Sequence, residues 1–191
     1  MSIERLLGSA SRLRDDANEL GTMLVEEGSV DCVYNPLDYA WDIHERYIQI
    51  SGGRGAKTVM LGMNPGPHGM GQMGIPFAAT SMVRDILGIS NIPVKQPSIP
   101  HPKRPVIGLE YPREEVSGTR IWGLLAETYG SSDRIFENVF LLNHCPLMLL
   151  NGERGVNVTP DKISGRTARK LLQRCDTVSY THLRAHETNG Y

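Results

Sequence analysis

Apolar residues recur at Ile3, Leu6, Leu7, Leu13, Ala17, Leu20 and Leu24, at spacings of three, four, six and seven. That pattern predicts an amphipathic helix over residues 2–27, packed on the rest of the domain and ended by Gly28-Ser29. Two short apolar runs follow a different rule. Thr58-Val59-Met60-Leu61 and Val139-Phe140-Leu141-Leu142 lack polar alternation, and each runs into a polar or glycine-rich turn, which is how a covered parallel strand reads. Ser81 to Leu87 and residues 119–129 read as helices, whereas residues 91–105, with five prolines, read as loop. Thr159-Pro160-Asp161 predicts a helix start, with threonine at the N-cap, proline at the first position and an acid in the first turn, and the helix is expected to end near Arg174. Two parallel strands with helices between and after them imply an α/β fold, a three-layer α/β/α unit around a central parallel sheet.

Composition adds bounds rather than direction. The 191 residues fit one domain, and 40% hydrophobic with 21% charged residues is an ordinary globular balance. A formal charge of -1 does not announce a nucleic-acid partner, although a local basic patch needs no net charge. Cys32, Cys145 and Cys175 stand far apart with no Cys-x-x-Cys pair, which argues against a zinc or iron–sulfur site; no metal or other cofactor is expected. No apolar run approaches the length of a membrane span and no leader-like apolar segment opens the chain. A reducing setting follows as the expectation, cytoplasmic, or nuclear in a eukaryote.

Candidate chemistry gathers where the first strand ends, because α/β sheets bind ligands at the carboxyl ends of their strands. The run Gly62-Met63-Asn64-Pro65-Gly66-Pro67-His68-Gly69-Met70-Gly71-Gln72-Met73-Gly74-Ile75-Pro76-Phe77 matches neither the dinucleotide-binding glycine pattern nor a phosphate-binding P-loop. Asn64 is the first polar side chain delivered to that edge. Asn143 ends the second strand on the same edge, so both carboxamides can face one pocket.

The run resembles the first motif of the single-strand-selective monofunctional uracil-DNA glycosylase family, Gly-Met-Asn-Pro-Gly-Pro, then Gly-Met, then Gly-x-Pro-Phe. The likeness continues in order through residues 33–41, His101-Pro102-Lys103-Arg104-Pro105 and the segment to Glu110, Glu115-Val116-Ser117-Gly118, Asn143-His144-Cys145-Pro146-Leu147 and Asn157-Val158-Thr159-Pro160, from about residue 33 to 176. It implies a central parallel sheet of four strands and a monomeric enzyme of DNA repair. The implied reaction flips uracil from DNA and hydrolyses its N-glycosidic bond, with modified uracils such as 5-hydroxymethyluracil among the candidate substrates.

The resemblance assigns Asn64 the role of orienting the attacking water, a task its amide suits, since a carboxamide holds water but cannot be a strong general base. It assigns Asn143 the reading of the base edge, where a donor and an acceptor side by side match O4 and N3–H of uracil. Phe77 reads either as a core residue or as the platform under a flipped base. Backbone NH groups at Met63, Gly66 and Met70 are candidates for the base or a water, with Met70 equally readable as packing. His68 has no assigned chemistry. Lys103, Arg104, Ser117, Gly118, Arg154, Asn157 and Thr159 are the candidates for DNA contact, with a solvated loop the plain alternative for Lys103 and Arg104.

From Val178 onward the likeness stops. Ser179-Tyr180-Thr181-His182-Leu183-Arg184-Ala185-His186 has no apolar periodicity and resembles a translated sequencing adaptor. The chain is therefore expected to divide into a partial glycosylase domain over 1–177, with its N-terminal helix at 1–28, and a non-native tail over 178–191. Two strands and a histidine-bearing motif of the family would then be missing, and His182 and His186 are not substitutes for it. A catalytically inactive DNA- or base-binding fragment is the alternative reading. We expect the 191 residues alone to leave uracil-containing oligonucleotides almost intact; abasic-site formation near that of a full-length relative would contradict this.

Overall fold

The Ser2 hydroxyl accepts a bond from the Arg5 amide and caps the first helix, whose buried stripe of Leu6, Ala10, Leu13, Ala17, Leu20 and Leu24 keeps the three- and four-residue spacing of one helical face. The computed structural model describes residues 2–187. Its helices are α1 (Ile3–Glu26), α2 (Pro36–Tyr39), α3 (Trp41–Ser51), α4 (Met70–Met73), α5 (Thr80–Asp85), α6 (Val116–Tyr129), α7 (Ser132–Asn138) and α8 (Arg166–Glu187). Its strands are β1 (Cys32–Tyr34), β2 (Thr58–Gly62), β3 (Val139–Asn143), β4 (Met148–Asn151) and β5 (Val156–Val158).

The two strands legible in the sequence pair with each other in parallel, from Thr58 opposite Val139 to Gly62 opposite Asn143. Among the described residues that sheet has no further strand. One expectation needs correcting here. β3 is covered, with Val139, Phe140 and Leu141 buried, but β2 is not: Thr58 and Leu61 are exposed, Leu61 at 51%. The main core lies against β3. Tyr47 and Ile48 of α3, Val83 of α5, Trp122 and Leu125 of α6 and Phe136 of α7 pack there, and the Tyr47 hydroxyl donates to the Leu141 carbonyl at 2.7 Å. Burial pushes the Tyr47 phenol far above its ordinary range.

A second, antiparallel sheet in the order β1-β4-β5 was not legible in the sequence. Its strands are only three or four residues long, too short for periodicity to speak. The buried β4 forms its centre, and α1 and α8 enclose Cys145, Leu147 and Leu149 between helices and sheet.

The C-terminal helix also departs from expectation. Thr159-Pro160-Asp161 opens a single 3₁₀ turn, Pro160–Lys162, with no side-chain cap from Thr159, and α8 begins only at Arg166. The backbone of α8 runs on past Arg174 to Glu187, with Ala168, Leu171 and Cys175 buried in helical register. Residues 188–191 of the expected tail, and the side chains of His182 and His186, lie outside the described residues. Among the described residues no helix is long and apolar enough to cross a membrane.

Replacing Tyr47 by phenylalanine removes the donor to Leu141 in a dry setting. It should cost about 1–3 kcal/mol of stability, read as a shift of the urea unfolding midpoint at unchanged slope.

Candidate active site at the paired strand ends

Parallel pairing carries the ends of β2 and β3 out of the sheet together. His144 donates its amide to Gly62 O at 2.8 Å and Cys145 donates to Met63 O at 2.9 Å, so the two chains stay paired one step beyond the strands. The Met63 carbonyl is thereby used, while its side chain is 49% exposed. Asn143 ends β3 and Asn64 follows the end of β2 by two residues, so both stand at the same edge of the sheet, as the sequence predicts.

Asn143 and Phe77 meet over Gly62. A Cβ at Gly62 would overlap Asn143 Oδ1 and come within 2.7 Å of Phe77 Cζ, so only glycine lets the carboxamide and the ring edge lie against this strand end. The Asn143 side chain is buried, and its Nδ2 donates to Met70 Sδ at 3.0 Å, which fixes the amide and gives buried Met70 a side-chain role at the site. Phe77 adopts φ +55, a conformation that costs an L-residue of order 1–3 kcal/mol and is held only by surrounding contacts. One such contact is the start of α6. A Cβ at Gly118 would overlap Phe77 O and stand 2.8 Å from Ala78 O. Gly118 is buried beneath this turn, which corrects its assignment as a DNA contact.

Asn64 is held on one side only. Its Nδ2 lies 3.3 Å from Leu147 O, 3.2 Å from Val158 O and 3.4 Å from Asn157 Oδ1. Its Oδ1 accepts no hydrogen bond from the described residues. Asn157 also donates Nδ2 to Pro65 O at 3.0 Å, so its side chain turns into the loop and is spent there, contrary to its expected place on a DNA-facing surface.

The rest of the loop is tied down by groups the sequence reading missed. Buried Gln72 donates to Pro67 O at 2.9 Å and to Pro105 O at 3.0 Å, and accepts from the Ile107 amide at 2.9 Å. The Glu115 carboxylate packs against Gly66 and Gly69 while accepting from the Ser117 hydroxyl at 2.6 Å. A polar residue inside a glycine-rich run was the available signal for Gln72; Glu115 had none. His68 stacks on Tyr111 with ring centroids 5.6 Å apart, its Nδ1 2.8 Å from the phenol oxygen. Partial burial, then the charges of Arg104 and Arg113, lower the His68 pKa against the opposing pull of Glu115.

The remaining sequence candidates scatter. Lys103, Arg154 and Ser117 are exposed. Arg104 is half-buried and donates Nε to Gly155 O at 2.7 Å, which fastens it to the β4–β5 hairpin, and Thr159, the residue after β5, is half-buried. A cavity of about 390 Å³ between α1, β1 and the segment Pro97-Ser98-Ile99 contains none of Asn64, Phe77 or Asn143. Among the described residues no group of three or more His, Cys, Asp or Glu side chains could hold a metal ion.

No protein-family model matches the chain. A Bos taurus protein named single-strand selective monofunctional uracil DNA glycosylase is 42% identical over 173 residues, which is 91% of this chain and 61% of that protein. The protein of the same name from Mus musculus is 44% identical over 147 residues, 77% of this chain and 52% of its own length. The chain therefore spans between about half and three-fifths of the curated relatives it matches. Among solved structures, wild-type Pedobacter heparinus SMUG2 superposes with a TM-score of 0.53 at 16% identity, covering 82% of this chain and 60% of that one, and shares its fold.

Gly62→Ala tests the packing of the site directly. It should destabilise the protein by about 1–3 kcal/mol and displace the Asn143 side-chain amide signals in ¹H–¹⁵N spectra, the cost of overfilling a tight contact. Unchanged stability and an unmoved Asn143 signal would contradict the geometry.

Proposed function

We propose, from the chain's membership of the single-strand selective monofunctional uracil-DNA glycosylase family, that the protein removes uracil from DNA by flipping the base and hydrolysing its N-glycosidic bond. The observation that carries this reading is the asymmetric hold on Asn64: the NH₂ end is anchored to the β4–β5 hairpin and the carbonyl end is left for a water.

Uracil leaves as a stabilised anion and the sugar passes through an oxocarbenium-like state, so the protein needs positioning and electrostatics more than covalent chemistry. Asn64 Oδ1 accepts a hydrogen bond from the water that attacks C1′; the C1′–N1 bond breaks, its electron pair leaves on the uracil, and the proton given up by the water neutralises the uracil anion. Asn143 presents its amide to O4 and N3–H of the flipped base, whose face lies on Phe77. Stacking of this kind is worth about 1–3 kcal/mol per base. Cytosine, with an exocyclic amine in place of O4, offers the amide the wrong pattern. Lys103 and Arg154, both exposed cations, neutralise phosphates without reading sequence. The partner is DNA containing uracil, with modified uracils such as 5-hydroxymethyluracil as further substrates, and the reaction calls on no metal or other cofactor.

The test uses a protein that joins this chain to the histidine-bearing segment the family resemblance implies. Asn64→Ala should slow single-turnover excision of uracil from a single-stranded oligonucleotide by about 100-fold or more, while affinity for a non-cleavable uracil analogue changes by less than about threefold. Equal losses in rate and affinity would make Asn64 a structural residue and remove the water-orienting role.

A further inference from the structure

We infer that Asn157 is a positioning residue that sets the orientation of Asn64, an inference that rests on the water-orienting role proposed above. Asn64 stands on a loop just before Pro65-Gly66, outside both sheets, and its carboxamide could turn about its own side-chain bonds. Asn157 stands on regular structure. It lies at the middle of β5, opposite Leu150 of the buried strand β4, so its position is fixed by the second sheet rather than by the loop it touches.

Its amide makes two contacts of opposite sense. Oδ1 accepts from Asn64 Nδ2 at 3.4 Å, and Nδ2 donates to Pro65 O at 3.0 Å. The first adds a side-chain acceptor to the Leu147 and Val158 carbonyls in setting which end of the Asn64 amide faces the hairpin; the second pins the peptide immediately after it. The carbonyls of Leu147 and Val158 join the same side, so all three acceptors draw the Asn64 NH₂ toward β4 and β5. The Asn64 oxygen must then face away from the hairpin.

A carboxamide serves both contacts at once, because it carries a donor and an acceptor side by side on one planar group. Aspartate keeps the acceptor, loses the donor and sets a charge against the Pro65 carbonyl. Alanine loses both.

Expected results follow in the same joined protein. Asn157→Ala should lower the single-turnover excision rate by about 10- to 100-fold with less than about threefold change in affinity for the non-cleavable analogue, and Asn157→Asp should fall between it and the parent. In an Asn64→Ala background, Asn157→Ala should cost less than about twofold, since there is no carboxamide left to orient. A residue that merely supports the hairpin would cost the same in both backgrounds, and that result overturns the inference. So does an unchanged rate. The Asn64 side-chain amide signals supply a readout independent of catalysis, and Asn157→Ala should shift them and bring the two protons closer together. If the joined protein excises no uracil yet those signals move, the glycosylase reading fails and the positioning contact stands; if they stay in place, the contact itself is refuted.

Discussion

Everything at the site depends on where the parallel pairing of β2 and β3 stops. The register puts Gly62 opposite Asn143, and the bonds from His144 to Gly62 and from Cys145 to Met63 extend it just past the strands. A one-residue slip would turn every side chain of a strand to the other face and separate the two asparagines. The absence of a side chain at Gly62 is the complementary condition, since the space a Cβ would fill is already taken by Asn143 Oδ1 and the Phe77 ring.

Around that junction amide side chains reaching carbonyl oxygens add to the loop's own backbone bonds, such as Gly71 to Gly66 and Gly74 to Met70. Asn64, Asn157 and Gln72 each donate to carbonyls from a different element, and together they connect the loop to the β4–β5 hairpin and to the Pro105–Ile107 segment. At the end of this glycine- and proline-rich run Phe77 keeps an unfavourable backbone conformation. Gly118 contributes from beneath, by letting α6 approach the Phe77 carbonyl.

The parts of this arrangement that repeat along the chain were legible in the sequence. The α1 stripe, the parallel strands and the helix ending at Tyr129 all follow from periodicity or unbroken apolar runs, and the α/β class follows from their order. The order of motifs also marked Asn64, Asn143 and Phe77 as candidates. Features made by pairing between distant short segments were not legible. β1, β4 and β5 carry too few residues for a period, and Asn157 reads as a loop asparagine until β5 is paired with β4 and turns it toward Pro65. Thr159-Pro160 misled for a local reason: the signature of a helix start was real, but it served one 3₁₀ turn, and α8 waited for Arg166.

The pairing of β2 with β3 joins residues about eighty positions apart, and that separation places the site in time as well as in space. During synthesis at roughly 5–20 residues per second, β2 emerges some 4–16 s before the strand that completes it. Through that interval Val59, Met60 and Leu61 have no partner strand, and the two asparagines belong to unconnected stretches of chain. Local folding of α1 or the Asn64 loop cannot shorten the delay, because a contact of this range must first meet the entropy of closing the loop between its ends. The junction of β2 and β3 is therefore among the late products of folding, and its precursor is a chain whose first parallel strand is exposed to whatever else can pair with it.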